Sequence, residues 1–455
     1  MRQVQLGVDR RSITAGSMLL GALLYVLLGG LLLSRHQVVI SVFLTLAGTA
    51  LALFALIGLL SFLFGRKNEV RQLRQLFSAL LSLGGVWVVF SRPSSLLALL
   101  PLMLGANALL SGLLYLASCF LQRKNNEWVS SGYVLFGSLS VLFGSLSVLF
   151  GLALIFSPVA YISTSLNIAG IYCLLAAITQ FQDFLEARRP VRADDHCPPR
   201  RRLRFSRPSL LTALVPKRQQ GKVSRQLRRE TADDPPAEPE ELPSLEIFVH
   251  ATEKGLGTIG HVDICYEDTV YTYGPYDKAS HRLRGVVCRG VLAVVQGRER
   301  YLEFCTLHSR KTIFCYGIAL SEAQRRRLEQ GISELMTEVV IWHSPHRLDP
   351  QGRHDDYASL LQQYTDAQLY HFARGRFHTY FMGGANCTLL SDRLVGPLGI
   401  DALHAGGILT PGAYFNYLDR EHRRPNSPVI SRRIYCAAPQ EIEQFARRLR
   451  QAGGQ

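Results

Sequence analysis

The chain has 455 residues and a formal net charge of +15, and at that length it exceeds one ordinary domain. Positions up to about 186 are almost continuously apolar, whereas from Arg188 onward the chain is charged, Pro-punctuated and holds nearly all the histidines. This segregation excludes a uniformly soluble globule. It also removes net charge as a nucleic-acid signal, because basic loops and a linker flanking membrane spans account for much of it.

In chain order, six apolar segments near 13–33, 37–64, 75–91, 94–121, 131–156 and 159–185 are long enough to cross a hydrocarbon core of roughly 30 Å. No small-residue cleavage site follows the first, and further spans come at once, so the N-terminus does not read as a cleavable signal peptide. The segments pair as three hairpins across Ser34-Arg35-His36, Ser91-Arg92-Pro93 and Ser157-Pro158, an internal repeat of roughly 60 residues. One hairpin is lengthened by a duplication: VLFGSLS at Val134–Ser140 recurs at Val141–Ser147 and restarts at Val148–Gly151. Seven residues are nearly two helical turns, so Gly137, Gly144 and Gly151 stay on one face. With Ser140 and Ser147 they form small-xxx-small pairs suited to close packing in lipid, which favours a packing helix over a pore lining.

No span carries Asp, Glu, Lys or Arg at mid-depth, which argues against an ion pump or proton relay. Arg2, Arg10, Arg11, Arg66, Lys67, Arg71, Arg74, Arg123, Lys124, Arg188, Arg189 and Arg192 fall on one side, against Arg35 and Arg92 on the other. The positive-inside rule then places both termini in the cytoplasm. Over roughly residues 13–186 this pattern resembles the HdeD-like family of multi-pass bacterial membrane proteins, with three such hairpins. The resemblance implies an inner-membrane location and says little about chemistry.

Residues 187–243 read as a Pro-rich linker, basic from Arg200 to Arg229 and acidic from Asp233 to Glu241. Blocks of like charge with little apolar content stay disordered. The basic part, just beyond the last span, is suited to anionic headgroups at about 1 kcal/mol per cation. With Phe205 its one interleaved aromatic, nucleic-acid binding is disfavoured.

Residues 244–438 change to short strand-like runs. Leu245–Ala251, His261–Tyr266 and Thr269–Tyr273 read as strands, the last two a hairpin across Glu267-Asp268. Further strands are expected near Val286–Val295, Tyr301–Thr306 and Thr312–Ala319. A helix is expected over Leu320–Val339, opened by a Ser321-x-x-Gln324 capping box, a second over Tyr357–Ala373 and a third from Cys387 to about Val395. Residues 439–455 form a C-terminal helix or tail.

Of nine cysteines, Cys387 stands apart, following a glycine-rich turn and Asn386 at a helix start, whereas Cys265, Cys288, Cys305 and Cys315 sit in strand patterns as inert thiols. A helix N-terminus with a nearby imidazole favours thiolate, and His261, at the start of a strand after Gly260, is the candidate to take and return its proton. The cysteines beyond the last span lack regular spacing or a CxxC pair, which fits reduced thiols in a cytoplasm.

The stretches GHVDICYEDTVYTYGPYD (Gly260–Asp277), GVLAVVQG (Gly290–Gly297), RKTIFCYGIALSEAQRRRL (Arg310–Leu328) and FHTYFMGGANCTLLSDRL (Phe377–Leu394) resemble the circularly permuted NlpC-type papain-like fold. The resemblance is to its branch typified by the N-terminal domain of Lnb-type membrane proteins, and it covers roughly residues 245–420. It implies a cysteine hydrolase or acyltransferase core, with Cys387 as nucleophile and His261 as base. The orienting third residue is expected at Tyr273, opposite His261 on the returning strand, or at Asp277; a tyrosine cannot stabilise an imidazolium as a carboxylate does.

The expected fold is thus a six-helix transmembrane bundle of three hairpins over residues 1–186, followed by an α+β papain-like domain. The expected function is a membrane-anchored thiol hydrolase or acyltransferase acting on an amide, ester or thioester. Its partners are membrane lipids and a lipid-linked or peptide substrate, with no nucleic acid, no cofactor and no metal. His343, His346, His354, Asp355 and Asp356 fall in a Pro/Gly-bearing loop whose spacing fits no metal site, and His371 and His378 are the alternative bases. Two rivals stand: a non-catalytic peptide- or lipid-binding sensor, and a domain facing the periplasm.

Overall fold

The computed structural model describes residues 2–4, 15–64, 69–125, 131–187, 243–251, 260–352, 354–398, 410–423, 427–437 and 439–452. The linker lies almost wholly outside them. The chain divides into two compact units, Gly16–Gly112 with Ser145–Phe184, and Met1–Ala15 with Leu113–Gly144 and Leu185–Gln455.

After a short strand β1 (Arg2–Val4), the apolar segments form α1 (Ala15–Ser34), α2 (His36–Phe64), α3 (Glu69–Ser91), α4 (Pro93–Leu97), α5 (Leu99–Lys124), α6 (Ser131–Phe156) and α7 (Ile162–Ala187). The expected span over 94–121 is therefore broken at Ala98, and the last starts at Ile162 rather than 159. Among the described residues five helices are long and apolar enough to cross a membrane: Gly16–Ser34, His36–Leu63, Leu73–Ser91, Leu99–Leu121 and Ile162–Gln182. In α6 the apolar stretch that qualifies, Gly144–Phe156, is shorter. Many large apolar side chains on these helices are exposed, Phe54 at 67% and Leu81 at 68% among them, as lipid-facing surfaces require. Small residues make the close crossings. A Cβ on Gly151 would lie 2.7 Å from the Gly105 carbonyl oxygen, so the duplicated motif delivers a glycine where two helix backbones meet.

The sheet domain holds β2 (Leu245–Ala251), β3 (His261–Tyr266), β4 (Thr269–Gly274), β5 (Val287–Arg289), β6 (Val291–Gln296), α8 (Arg298–Glu303), β7 (Thr312–Ile318), α9 (Glu322–Thr337), β8 (Val339–Ile341), α10 (Pro345–Leu348), α11 (Tyr357–Thr365), β9 (Gln368–Phe372), β10 (Thr379–Phe381), α12 (Cys387–Val395), α13 (Pro411–His422), β11 (Val429–Cys436) and α14 (Pro439–Ala452). One antiparallel sheet runs in the order β1-β11-β7-β2-β3-β4-β6-β9-β8, and β10 pairs with β5 apart from it. Strands β2 and β7 are buried along their whole length and carry a core on both faces.

Local chemistry explains the elements. Glu267 and Asp268 both take positive φ in the β3–β4 turn, where Asp268 holds the conformation by accepting from the Arg298 amide at 2.8 Å. Helix α9 opens with the expected Ser321–Gln324 capping box, both of its bonds formed. Three expectations fail. The run 286–295 breaks at Gly290, where a Cβ would strike the Tyr273 hydroxyl at 2.2 Å. Tyr301–Thr306 is helical rather than extended, because Gly297 at positive φ starts α8 and a π-turn continues it. The helix from Tyr357 stops at Thr365, where Asp366 in the left-handed region turns the chain into β9.

A buried charge cluster ties three elements of the sheet domain. Arg298 donates through Nε and Nη2 to Glu246, and through Nη2 to the Tyr435 hydroxyl at 2.9 Å. Both members of the pair are almost fully buried, so neither charge is compensated by water.

Candidate active site

Helix α12 begins at Cys387 because Asn386 caps it. The Asn386 Oδ1 accepts from the Leu389 amide at 3.0 Å, and its Nδ2 donates to the Met382 carbonyl at 2.9 Å. Cys387 is therefore the first residue at the positive end of the helix. The glycines before it are there for close approach. A Cβ on Gly384 would lie 2.4 Å from Ser118 Oγ, and one on Gly383 2.5 Å from Leu114 Cδ2, on the part of α5 that belongs to the same compact unit as the sheet.

Strand β3 supplies the partner. His261 and Asp263, two residues apart, share one face of the strand, and β2 places His250 directly across from His261. Asp263 is fully buried between the two rings: its Oδ1 lies 2.8 Å from His261 Nε2 and its Oδ2 2.7 Å from His250 Nε2. These are close charge contacts rather than aligned hydrogen bonds, since Asp263 Oδ1 and both His250 nitrogens lack hydrogen-bond geometry. The Tyr301 hydroxyl donates to Asp263 Oδ2 at 2.6 Å. Thr272 Oγ1 and the Tyr276 hydroxyl each sit 3.0 Å from His261 Nε2 and 2.6 Å from each other. With Nε2 so engaged, Asp263, Thr272 and Tyr276 hold the His261 ring in the same pocket wall as Cys387.

The electrostatics follow from this enclosure. Burial alone would lower the His261 pKa, but Asp263 and the Cys387 sulfur outweigh it and raise the ring to about 10. Burial pushes the Cys387 thiol up, yet the charged His261, a hydrogen bond from it and one from the Val262 backbone hold the thiol below its ordinary value. Both shifts favour the thiolate–imidazolium form of the pair. His250 meets the same carboxylate but no thiolate, and burial wins there, lowering it to about 4. Burial works against Asp263 as well, but the two histidines hold it well below the usual carboxylate range. Burial and the nearby sulfur hold the Tyr380 phenol well above its ordinary value, so it stays a protonated O–H in the same pocket wall as Cys387. Cys265, Cys288, Cys305 and Cys315 are all raised by burial, as inert thiols are.

Cys387 and His261 are thus brought together, and the two candidates for the third residue are not. Strand β4 pairs Tyr271 with Ile264, a register that turns Tyr273 to the opposite face from His261. Tyr273 is buried in the core and donates to the Phe377 carbonyl at 2.8 Å. Asp277 lies 3.6 Å from His371 instead, and His371 Nδ1 donates to the Gly290 carbonyl at 3.0 Å. The carboxylate on His261 is Asp263, with Thr272, Tyr276 and His250 completing its surroundings. The period-two spacing in His261-Val262-Asp263 carried that signal in the sequence. In the loop before α11, His346 and His354 approach to 6.3 Å between ring centres, and His354 bonds the Asp349 carbonyl. Among the described residues no group of three or more His, Cys, Asp or Glu side chains converges as a metal site would.

A pocket of about 420 Å³ opens over the pair, with His250, His261 and Cys387 in its wall together with Tyr276, Tyr357 and Tyr380.

Comparison with known proteins bears on the other half of the chain. A family model described as a short repeat of unknown function (DUF308) matches residues 85–146 and again 142–194. The second copy starts inside the duplicated VLFGSLS motif. No curated protein and no solved structure matches the chain. The tandem match, on apolar helices of spanning length, supports a multi-pass membrane region built on the HdeD-like repeat, followed by a sheet-containing domain.

Proposed function

We propose that the sheet domain is a thiol hydrolase or acyltransferase of the permuted NlpC-type papain-like kind, anchored by the membrane half. The observation that carries this reading is Cys387 at a capped helix N-terminus, sharing a pocket wall with His261, whose Nε2 lies 2.8 Å from the buried Asp263 carboxylate. The thiolate attacks the carbonyl carbon of an amide, ester or thioester, and the carbonyl oxygen takes up the electron pair beside the Tyr380 O–H and the helix N-terminus. The tetrahedral adduct collapses, the carbon–heteroatom bond breaks, and the leaving group takes the His261 proton. This leaves a thioester on Cys387 and a neutral imidazole. Water, or an acceptor nucleophile, then gives its proton to His261 and attacks the thioester, which returns the thiolate and the imidazolium.

The N-terminal strand β1 pairs with β11, which supports a topology with the N-terminus and the sheet domain on one side of the bilayer and an even number of crossings between them. Five helices qualify by themselves and α6 supplies the sixth, in keeping with three hairpins. On the loop charges we read the shared side as the cytoplasm of a bacterial inner membrane, with the basic linker on lipid headgroups. The reading favours substrates met at the membrane surface.

The test is acyl-enzyme trapping. The full-length protein, purified in detergent, is incubated with a series of p-nitrophenyl esters and thioesters, and the Cys387 peptide is weighed after acid quench. An acyl adduct on Cys387 of the parent protein, whose formation slows sharply in His261→Ala, supports the chemistry. Ligand binding with no adduct on any substrate would leave the domain as a peptide- or lipid-binding sensor. A reporter fused at Gln455 that reads periplasmic would contradict the assigned side.

A further inference from the structure

The pocket over Cys387 carries a cation that the proposed chemistry does not use. Lys311 lines it, half-buried, with Nζ donating to the Tyr357 hydroxyl at 3.1 Å and lying 4.6 Å from the centre of that ring. Among the described residues Lys311 makes no ion pair with a carboxylate. Among the described residues no Asp or Glu lines the pocket, and the carboxylate of the site, Asp263, is fully buried. Next to Lys311, His250 also lines the wall, 1% exposed, and its Nδ1 has no hydrogen-bond partner. A helix N-terminus adds to the positive sign of Lys311. Thr410 and Pro411 bring the N-terminus of the twelve-residue α13 to the rim.

We propose that the substrate of this site carries a fixed negative charge, a carboxylate or a phosphate, which Lys311 seats beside the carbonyl that Cys387 attacks. The inference rests on the thiol-hydrolase reading and narrows its substrate class. A lysine held in a mostly aromatic wall has exchanged part of its hydration for a phenol and a ring face, and in that setting an anion gains more from it than in bulk water. A cationic group would meet the ammonium and the imidazolium together, which discriminates against it.

Two alkylating reagents of similar size test this: neutral iodoacetamide and anionic iodoacetate. The full-length protein is treated with each, and modification of the Cys387 peptide is followed by mass spectrometry. The iodoacetate-to-iodoacetamide rate ratio is expected to fall on the order of tenfold in Lys311→Met and to be kept in Lys311→Arg. An unchanged ratio in Lys311→Met, with Cys387 still fast towards iodoacetamide, overturns the inference and leaves the hydrolase reading standing. A Cys387 no faster than an unfolded-chain thiol towards either reagent overturns both. Protection of Cys387 from iodoacetamide separates the sources. Inorganic phosphate or acetate protecting points to a soluble substrate, and phosphatidylglycerol vesicles protecting where phosphatidylcholine does not points to a headgroup. Protection that survives Lys311→Met counts against the inference.

Discussion

Asp263→Asn removes the charge that two histidines share, and its effect on Cys387 is calculable. His261 is raised from 6.5 to about 10, which at about 1.4 kcal/mol per pKa unit is ~5 kcal/mol in favour of the charged ring. Asp263 is the larger of the two attractions that hold it there, ahead of the Cys387 sulfur. His250 displays what burial does when the sulfur is missing, since it falls to about 4 against the same carboxylate. Without the Asp263 charge, burial decides at His261 as well and the ring becomes neutral. The Cys387 thiol then loses the cation that held it down, and burial, the largest influence on it, pushes it up against the smaller relief of losing the Asp263 charge. The alkaline rise in Cys387 alkylation therefore moves to higher pH, and the thiolate population at pH 7 drops. The assay is the pH profile of iodoacetamide modification of the Cys387 peptide in full-length protein, with thermal unfolding as the check on integrity. Tyr301 loses little, because an Asn oxygen still accepts its hydroxyl. A folded Asp263→Asn protein whose Cys387 reacts at pH 7 within twofold of the parent would refute the electrostatic reasoning.

Three further outcomes follow from the same geometry. Tyr273→Phe and Asp277→Asn leave the midpoint of that pH profile in place, because one side chain faces the Phe377 carbonyl and the other His371; a shift as large as that of Asp263→Asn would restore them as orienters. Asn386→Ala removes the cap of α12 and costs about 1 kcal/mol of stability, with a slower Cys387 read in the same alkylation assay. Arg298→Met strands the buried Glu246 and lowers stability of the sheet domain by about 3–5 kcal/mol, measured as the shift in its unfolding midpoint, while Arg298→Met with Glu246→Gln recovers part of it.

The parts of the fold that were legible from residues alone are those governed by local rules. The hairpin of β3 and β4, the capping box of α9 and the start of α12 at Cys387 each depend on neighbours within a few positions, and each lies where local chemistry puts it. The run Tyr301–Thr306 misled because aromatic and β-branched residues favour strands, whereas Gly297 and the turn at Asp268 had already committed the chain to α8. The third site residue was missed by register. Setting Tyr273 against His261 shifts the pairing by one, and one step in a strand exchanges the two faces. The composition did hold the answer two residues along β3, but an aspartate in an otherwise apolar strand acquires its meaning only when β2 and α8 close over it with His250 and Tyr301. Lys311 was illegible for a related reason, since it reaches the pocket from the start of β7, far in sequence from Cys387.

The central claim is that one thiol among nine is chemically set apart. Isolated membranes bearing the full-length chain, treated near neutral pH with a limiting broad thiol-directed probe and digested, give a labelling rate for each cysteine peptide. The account expects Cys387 to label fastest, and well ahead of Cys265, Cys288, Cys305 and Cys315, whose thiols burial holds protonated, and to lose that lead in His261→Ala. Equal labelling of Cys387 and those four, or a lead that persists without His261, would contradict it.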